Sequence, residues 1–419
     1  MIQRHRPTIF GPVALIAAAA AAAPLPTGPA AGDEALSPFY RWTGATSAKP
    51  GTLLRREALA PDPTIAAAAS AERILYASTD ARWQSGFIPV SGSLYMPRGE
   101  APAGGWPLVA WAHGTLGVAD RCAPSWIGHK PRDATYINRW LDAGYAVVAT
   151  DYQGLGGPGP HPYLFWEAEG RSILDGIRAA IGASDGRIAN TVYITGQSQG
   201  SGSALGATRI APTYAPDVHL RATVATGVLP VFPDGPYKLP AQPTGGSPHY
   251  TVLRLIGGSI PDGGPTADAL MSGKGKPLLA AGRTGCTPEM RAVAERDGIT
   301  NQNAFVKPVA AIEADLTPAM NMTPVRMPVP VLLGAGLADD AILPRRQYAA
   351  AMALCSAGSA VTWKAYPGIS HNGSPNAAFP DALAFFRAVG AGRPPASDCG
   401  RIAEPGEPQA PRAGVPFNN

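Results

Sequence analysis

Charge is scarce in this chain. Asp, Glu, Lys and Arg together make up only 15% of the 419 residues, the formal net charge is +4, and no block of lysine and arginine is interleaved with aromatics. A nucleic-acid-binding surface therefore has no support. Hydrophobic residues still reach 45%, enough for a sizeable core and too many for a disordered chain. Cysteine is also sparse: Cys122, Cys286, Cys355 and Cys399 are the full set, and no two have the Cys-x-x-Cys spacing of a zinc or redox site. After the first residues no apolar run is long enough to span a bilayer.

The N terminus is the exception to that last absence. Arg4, His5 and Arg6 precede an alanine-rich apolar run over residues 9–23. Residues 1–23 are expected to be a signal peptide, with a small-residue site at Ala21-Ala22-Ala23 and a later option near residue 31. Export would place the four cysteines in an oxidising compartment, secreted or periplasmic, and an even count then suggests two disulfides. Four cysteines allow three pairings. Chain layout favours Cys122 with Cys286 and Cys355 with Cys399, without deciding the matter.

Residues 32–70 are rich in Pro, Ala and Ser and are expected to wrap the surface rather than build a sheet. Strands are expected at 73–78, 88–95, 107–112, 145–150, 191–195 and 222–226, with Pro89 demoting the second to an edge. The runs PLVAWA and YAVVAT are apolar without alternation, as in strands buried on both faces. Helical periodicity falls between them, at 136–143, 167–181 and 202–210. Alternating strands and helices imply a mostly parallel sheet covered on both faces. Over 228–328 the rhythm breaks into a Pro- and Gly-dense segment with helices near 288–297 and 308–316. Strands and helices resume at 329–333, 345–354, 361–365 and 380–389. The expected organisation is a catalytic domain in two parts, 32–227 and 329–399, a cap inserted at 228–328, and a loose tail at 400–419.

Gly196-Gln197-Ser198-Gln199-Gly200 is the central chemical signal. It matches G-x-S-x-G between a strand and a small-residue helix, where a tight turn raises the serine hydroxyl above the sheet and the glycines relieve backbone clashes. A serine needs a base. Chain order selects His371 among seven histidines: His5 lies in the signal peptide, His113, His129 and His161 precede the serine, His219 follows it too closely, and His249 is in the insertion. The acid should follow the strand at 329–333, where Asp339 and Asp340 both stand; spacing from Gly336 favours Asp339. Backbone N–H groups of Thr115 and Gln199 are the oxyanion-hole candidates, and His113 is expected to brace its loop rather than act. The scheme calls for no metal and no cofactor.

At this point the chain resembles the secretory lipases, the family of the yeast lipase A type and its bacterial relatives, within the α/β-hydrolase superfamily. The stretch Trp111-Ala112-His113-Gly114-Thr115 through Cys122-Ala123-Pro124-Ser125 carries the likeness, as do Asp151-Tyr152-Gln153-Gly154-Leu155-Gly156, the Ser198 turn, Gly336-Leu337-Ala338-Asp339 and the His371 loop. It extends from about residue 50 to 399. The resemblance implies an α/β-hydrolase fold with a cap, a triad of Ser198, Asp339 and His371, two disulfides, and hydrolysis of acylglycerols or simpler esters, with transient contact at a lipid surface. The same triad would serve an aryl-ester hydrolase, a peptidase or an acyltransferase. A non-catalytic secreted binding protein would be marked by loss of a triad member, and none is lost.

Overall fold

The computed structural model describes residues 25–26, 36–237 and 247–419. The expected signal peptide lies outside the described residues. Nine strands form one sheet: β1 (Leu53–Ala58), β2 (Ala68–Thr79), β3 (Phe87–Pro97), β4 (Trp106–Ala112), β5 (Ala146–Thr150), β6 (Ile188–Gln197), β7 (Leu220–Thr226), β8 (Val331–Gly336) and β9 (Val361–Tyr366). Their order is β1-β2-β3-β5-β4-β6-β7-β8-β9. The first three are antiparallel neighbours and β3 meets β5 antiparallel; from β5 to β9 every pairing is parallel.

The unbroken apolar runs are buried on both faces because successive side chains point to opposite sides. Leu108, Ala110 and Ala112 of β4 join one core with Ile173, Ile177 and Ala204. Val109 and Trp111 join another with Ile137, Trp140, Phe385 and Phe386. The first core is closed by α3 (Trp166–Ala183) and α4 (Gln199–Tyr214), the second by α2 (Pro131–Asp142) and α11 (Ser374–Gly390). A short α1 (Pro124–Ile127) precedes α2. Helix α4 is rich in small residues because α3 presses onto it: a Cβ on Gly206 would fall 2.4 Å from the Trp166 carbonyl oxygen, and one on Gly170 would fall 2.7 Å from Ala207 N.

Between β7 and β8 the described residues form α5 (His249–Ile256), α6 (Ala267–Leu270), α7 (Lys276–Thr284), α8 (Thr287–Arg296) and α9 (Val309–Leu316), and none joins the sheet. They share a core with Tyr163, Trp166 and Val228. Helix α10 (Pro344–Ser356) lies between β8 and β9. The disulfides are Cys122–Cys286 and Cys355–Cys399, the pairing that chain layout favours.

Three expectations need correction. Residues 32–70 do contribute to the sheet, since β1 pairs with β2 at its edge. Strand β3 is interior, between β2 and β5, not an edge. Its Pro89 is tolerated because β5 pairs only with Gly92 to Tyr95, so the proline lies beyond that ladder and faces a strand, at Ala77, on one side only. The tail is not loose. Gln409 N donates to Leu337 O at 2.7 Å and Arg412 N to Gly368 O at 2.7 Å, so the segment is strapped across the loops that follow β8 and β9.

Candidate active site

The loops at the carboxyl ends of β4, β6, β8 and β9 carry Thr115, Ser198, Asp339 and His371 in turn. That edge is where open parallel sheets bind ligands. Ser198 follows β6 and stands at the N-cap of α4 with φ 59° and ψ −122°, a strained conformation for a residue other than glycine. Its N–H donates to Thr226 O at 3.0 Å. The flanking glycines are required by contact. A Cβ on Gly196 would lie 1.9 Å from Gly200 O, and one on Gly200 would lie 1.8 Å from Ala112 O. Gln197 and Gln199 are buried, while Ser198 between them is partly exposed.

Asp339 and His371 meet: Nδ1 of the imidazole is 2.8 Å from Asp339 Oδ2. The carboxylate is fully buried and held on every side. Its Oδ1 accepts Ala341 N at 3.0 Å and Ile342 N at 2.7 Å, and Oδ2 also accepts Gln347 Nε2 at 2.9 Å. Asp340 is exposed. The two loops are laced together, with Ala338 N on Ile369 O at 2.9 Å and Leu337 N on Tyr366 O at 2.9 Å. The His371 carbonyl accepts Gln197 Nε2 at 3.1 Å and Ser374 Oγ at 2.9 Å, which ties the imidazole's own backbone to the Ser198 turn. Gly227 makes room for the ring: a Cβ there would lie 2.9 Å from His371 Cε1.

Thr115 sits in the loop after β4. Its hydroxyl is 2.7 Å from Tyr163 Oη and its carbonyl accepts Lys130 Nζ at 3.2 Å. Gln199 is the first residue of α4, where the helix itself has no use for the backbone N–H. His113 is buried and braced, with Nδ1 2.8 Å from Gly114 O and its carbonyl accepting Tyr152 Oη at 3.0 Å. Burial pulls its imidazole down to about 4, so it is neutral at ordinary pH.

Sequence reasoning missed a buried polar network under the serine turn. Gln199 Nε2 donates to Glu169 Oε1 at 2.9 Å and lies 2.9 Å from His161 Nε2. His161 Nδ1 lies 2.8 Å from Gln153 O, an arrangement that assigns the neutral Nδ1–H tautomer. Burial holds His161 down at about 3 and pushes the Glu169 carboxyl up to about 8. A protonated Glu169 fits its neighbours: Oε2 bonds Ser203 Oγ, which lies 3.0 Å from Gln199 O and can pass its own hydrogen there.

A family model described as secretory lipase matches residues 130–398. The chain belongs to the secretory lipase family. It is accordingly a carboxylic ester hydrolase. Among solved structures this secretory lipase is similar to Candida antarctica lipase A in its closed state, at 20% identity over 91% of each chain, with a TM-score of 0.65. The Xanthomonas oryzae LipA, a rice cell wall degrading esterase, aligns at 20% identity over 83% of this chain and 98% of its own, TM-score 0.58. A putative hydrolase of Legionella pneumophila aligns at 18% identity over 80% of this chain and 98% of its own, TM-score 0.58. At such identities these likenesses speak to the fold, which is that of the α/β-hydrolases. No curated protein matches the chain significantly. Among the described residues no helix is long and apolar enough to cross a membrane.

Proposed function

We propose that this secretory lipase cleaves carboxylic esters, acylglycerols among them, through an acyl-enzyme on Ser198. The observation that carries the reading is the 2.8 Å contact between His371 Nδ1 and the buried Asp339 carboxylate, on the strand-end edge where Ser198 stands on its strained turn. Asp339 holds the imidazole with Nδ1 protonated, which leaves Nε2 free to accept a proton. Ser198 Oγ attacks the ester carbonyl as His371 takes its hydrogen. The oxyanion is received by the N–H groups of Thr115 and Gln199. His371 returns the proton to the departing alcohol. Water then attacks the acyl-enzyme with His371 again as base, and the acid leaves.

The segment 228–328 serves as the cap over this edge. Its α8 is tied to the β4 loop by the Cys122–Cys286 disulfide and by Thr287 N on Leu116 O at 2.7 Å, which supports that role. Two disulfides also support export behind a cleaved leader. The test is hydrolysis of nitrophenyl esters of short to long acyl chains by the native enzyme and by Ser198→Ala. The variant is expected to lose about 10⁴-fold or more in kcat. Cleavage of long chains supports acylglycerols as substrates. A variant as active as the native enzyme would overturn the assignment of Ser198.

A further inference from the structure

Two cations meet the loop that carries Thr115, and a third stands on the helix tied to that loop. Lys130 Nζ lies on the Thr115 carbonyl at 3.2 Å. Arg132, at the start of α2, donates from Nη1 to Asn372 Oδ1 at 3.0 Å, next to His371. Its Nη2 is also 3.5 Å from where a Cβ on Gly114 would stand, a point 2.7 Å from Gln197 Oε1 at the serine turn. Arg291 comes from α8, the helix whose start is fixed to the same loop through Cys122–Cys286 and Leu116 O. It is exposed, donates to Tyr250 Oη at 3.1 Å, and lies 3.5 Å from His249 Nε2.

The charges do not balance. Lys130 feels Arg132 and Arg291 as repelling neighbours and Asp133 as its attracting one. Asp133 is already engaged by Arg132, Nε to Oδ1 at 2.8 Å. His249 adds no charge, because burial and then Arg291 pull it down to about 3. Burial, followed by Arg132, lowers the Lys130 ammonium to about 8, which still leaves it charged at neutral pH. Around Lys130 two further cations stand against one carboxylate, and an excess of one sign of charge concentrates ligands of the other.

We propose that Lys130, Arg132 and Arg291 form an anion-receiving rim beside the Ser198 turn, and that the preferred substrate is an ester bearing a second, ionised acid group on its acyl or alcohol part. The inference rests on Ser198 and His371 acting as described above. In such a substrate the scissile carbonyl sits at Ser198 while the free carboxylate reaches the guanidinium and ammonium groups as a charge-assisted acceptor.

Two matched pairs test it by acid release in a pH-stat: monoethyl adipate against ethyl hexanoate, and 3-carboxyphenyl butyrate against phenyl butyrate. The first pair charges the acyl side and the second the alcohol side. At low salt the native enzyme is expected to favour the charged member of at least one pair by about tenfold or more in kcat/KM. Salt near 0.5 M should erode that ratio by screening. Arg291→Glu, at an exposed position, should lower the ratio at least about fivefold while leaving the neutral ester within about twofold, and Arg291→Gln should fall between. No preference in either pair, or a preference that Arg291→Glu leaves intact, overturns the proposal. Ser198→Ala separates the two readings. If it still cleaves the neutral esters, the reading of Ser198 fails; if it is inactive and the native enzyme shows no charge preference, only the rim fails.

Discussion

The side chain of Asn418 reaches the residue before His371: its Oδ1 accepts the Ser370 N–H at 2.6 Å. Its Nδ2 donates to Gly368 O and to Arg412 O, each at 2.8 Å, so one amide clasps the His371 loop and the strap that lies over it. Asn418→Ala should lower kcat about five- to tenfold with KM little changed, since each hydrogen bond contributes about 1 kcal/mol to holding the loop. Asn418→Asp, which keeps the acceptor and loses the donor, should recover part of the rate. Steady-state kinetics on one nitrophenyl ester decides it. A change in KM alone would point to the ester-binding surface instead.

The two neighbouring aspartates should behave very differently. Asp339→Asn removes the charge that faces His371 and offers the imidazole the wrong partner, so kcat/KM is expected to fall about 10²–10⁴-fold. Asp340→Asn, on an exposed side chain, should stay within about twofold of the native enzyme. Equal effects of the two would reassign the acid.

Glu169 gives a pH signature in stability. Burial raises its carboxyl to about 8 in the folded chain, whereas the unfolded chain ionises near the ordinary value of 4.5. Between those values the unfolded state gives up its proton and the folded state does not. Stability from this group therefore falls as pH rises from about 4.5 to about 8. Glu169→Gln should be close to neutral in urea unfolding at pH 5 and stabilising relative to the native chain at pH 9. A variant destabilised equally at both pH values would show that the carboxylate is ionised in the fold.

Helix α11 contains Pro380, which deprives the Asn376 carbonyl of its helical N–H partner. Arg139 of α2 fills the gap, donating from Nη1 to Asn376 O at 2.6 Å, and its guanidinium lies 5.5 Å over the Phe379 ring. Arg139→Met should cost about 1.5–3 kcal/mol in urea unfolding, the range for a hydrogen bond from a charged donor. Restoring a donor to the helix with Pro380→Ala in that background should return part of the loss.

The parallel sheet and the serine turn were legible because both leave local marks. Continuous apolar runs record burial on two faces, and the Gly196–Ser198–Gly200 spacing records backbone contacts too close for a Cβ. Chain order singled out His371 on the expectation that acid and base follow the serine in a set sequence, and its ring lies 2.8 Å from Asp339 Oδ2. The rest is held together by side-chain polar groups whose spacing follows no helix or strand period. The pairing of Glu169, Gln199 and His161 leaves no periodic trace, and neither does Gln347 on Asp339. The strap at 409–418 is fastened mainly through backbone groups and the side-chain amides of Gln409 and Asn418, so its composition resembled that of a free tail. Pro89 misled because a proline excludes a ladder on one side of a residue, not along a whole strand.

The Cys122–Cys286 bond fixes the start of α8 to the β4 loop across 164 residues of chain, while Tyr163 N on Gly257 O at 3.0 Å and Arg82 Nε on Gly258 O at 3.0 Å fasten the end of α5 at a second point. The same bond holds the helix of Arg291 to the loop on which Lys130 rests. In a reducing compartment the covalent tie would be lost, and only hydrogen bonds such as Thr287 N on Leu116 O would keep the two cations together. Preference for charged esters would then depend on where the chain is delivered, with the uncharged reaction less affected.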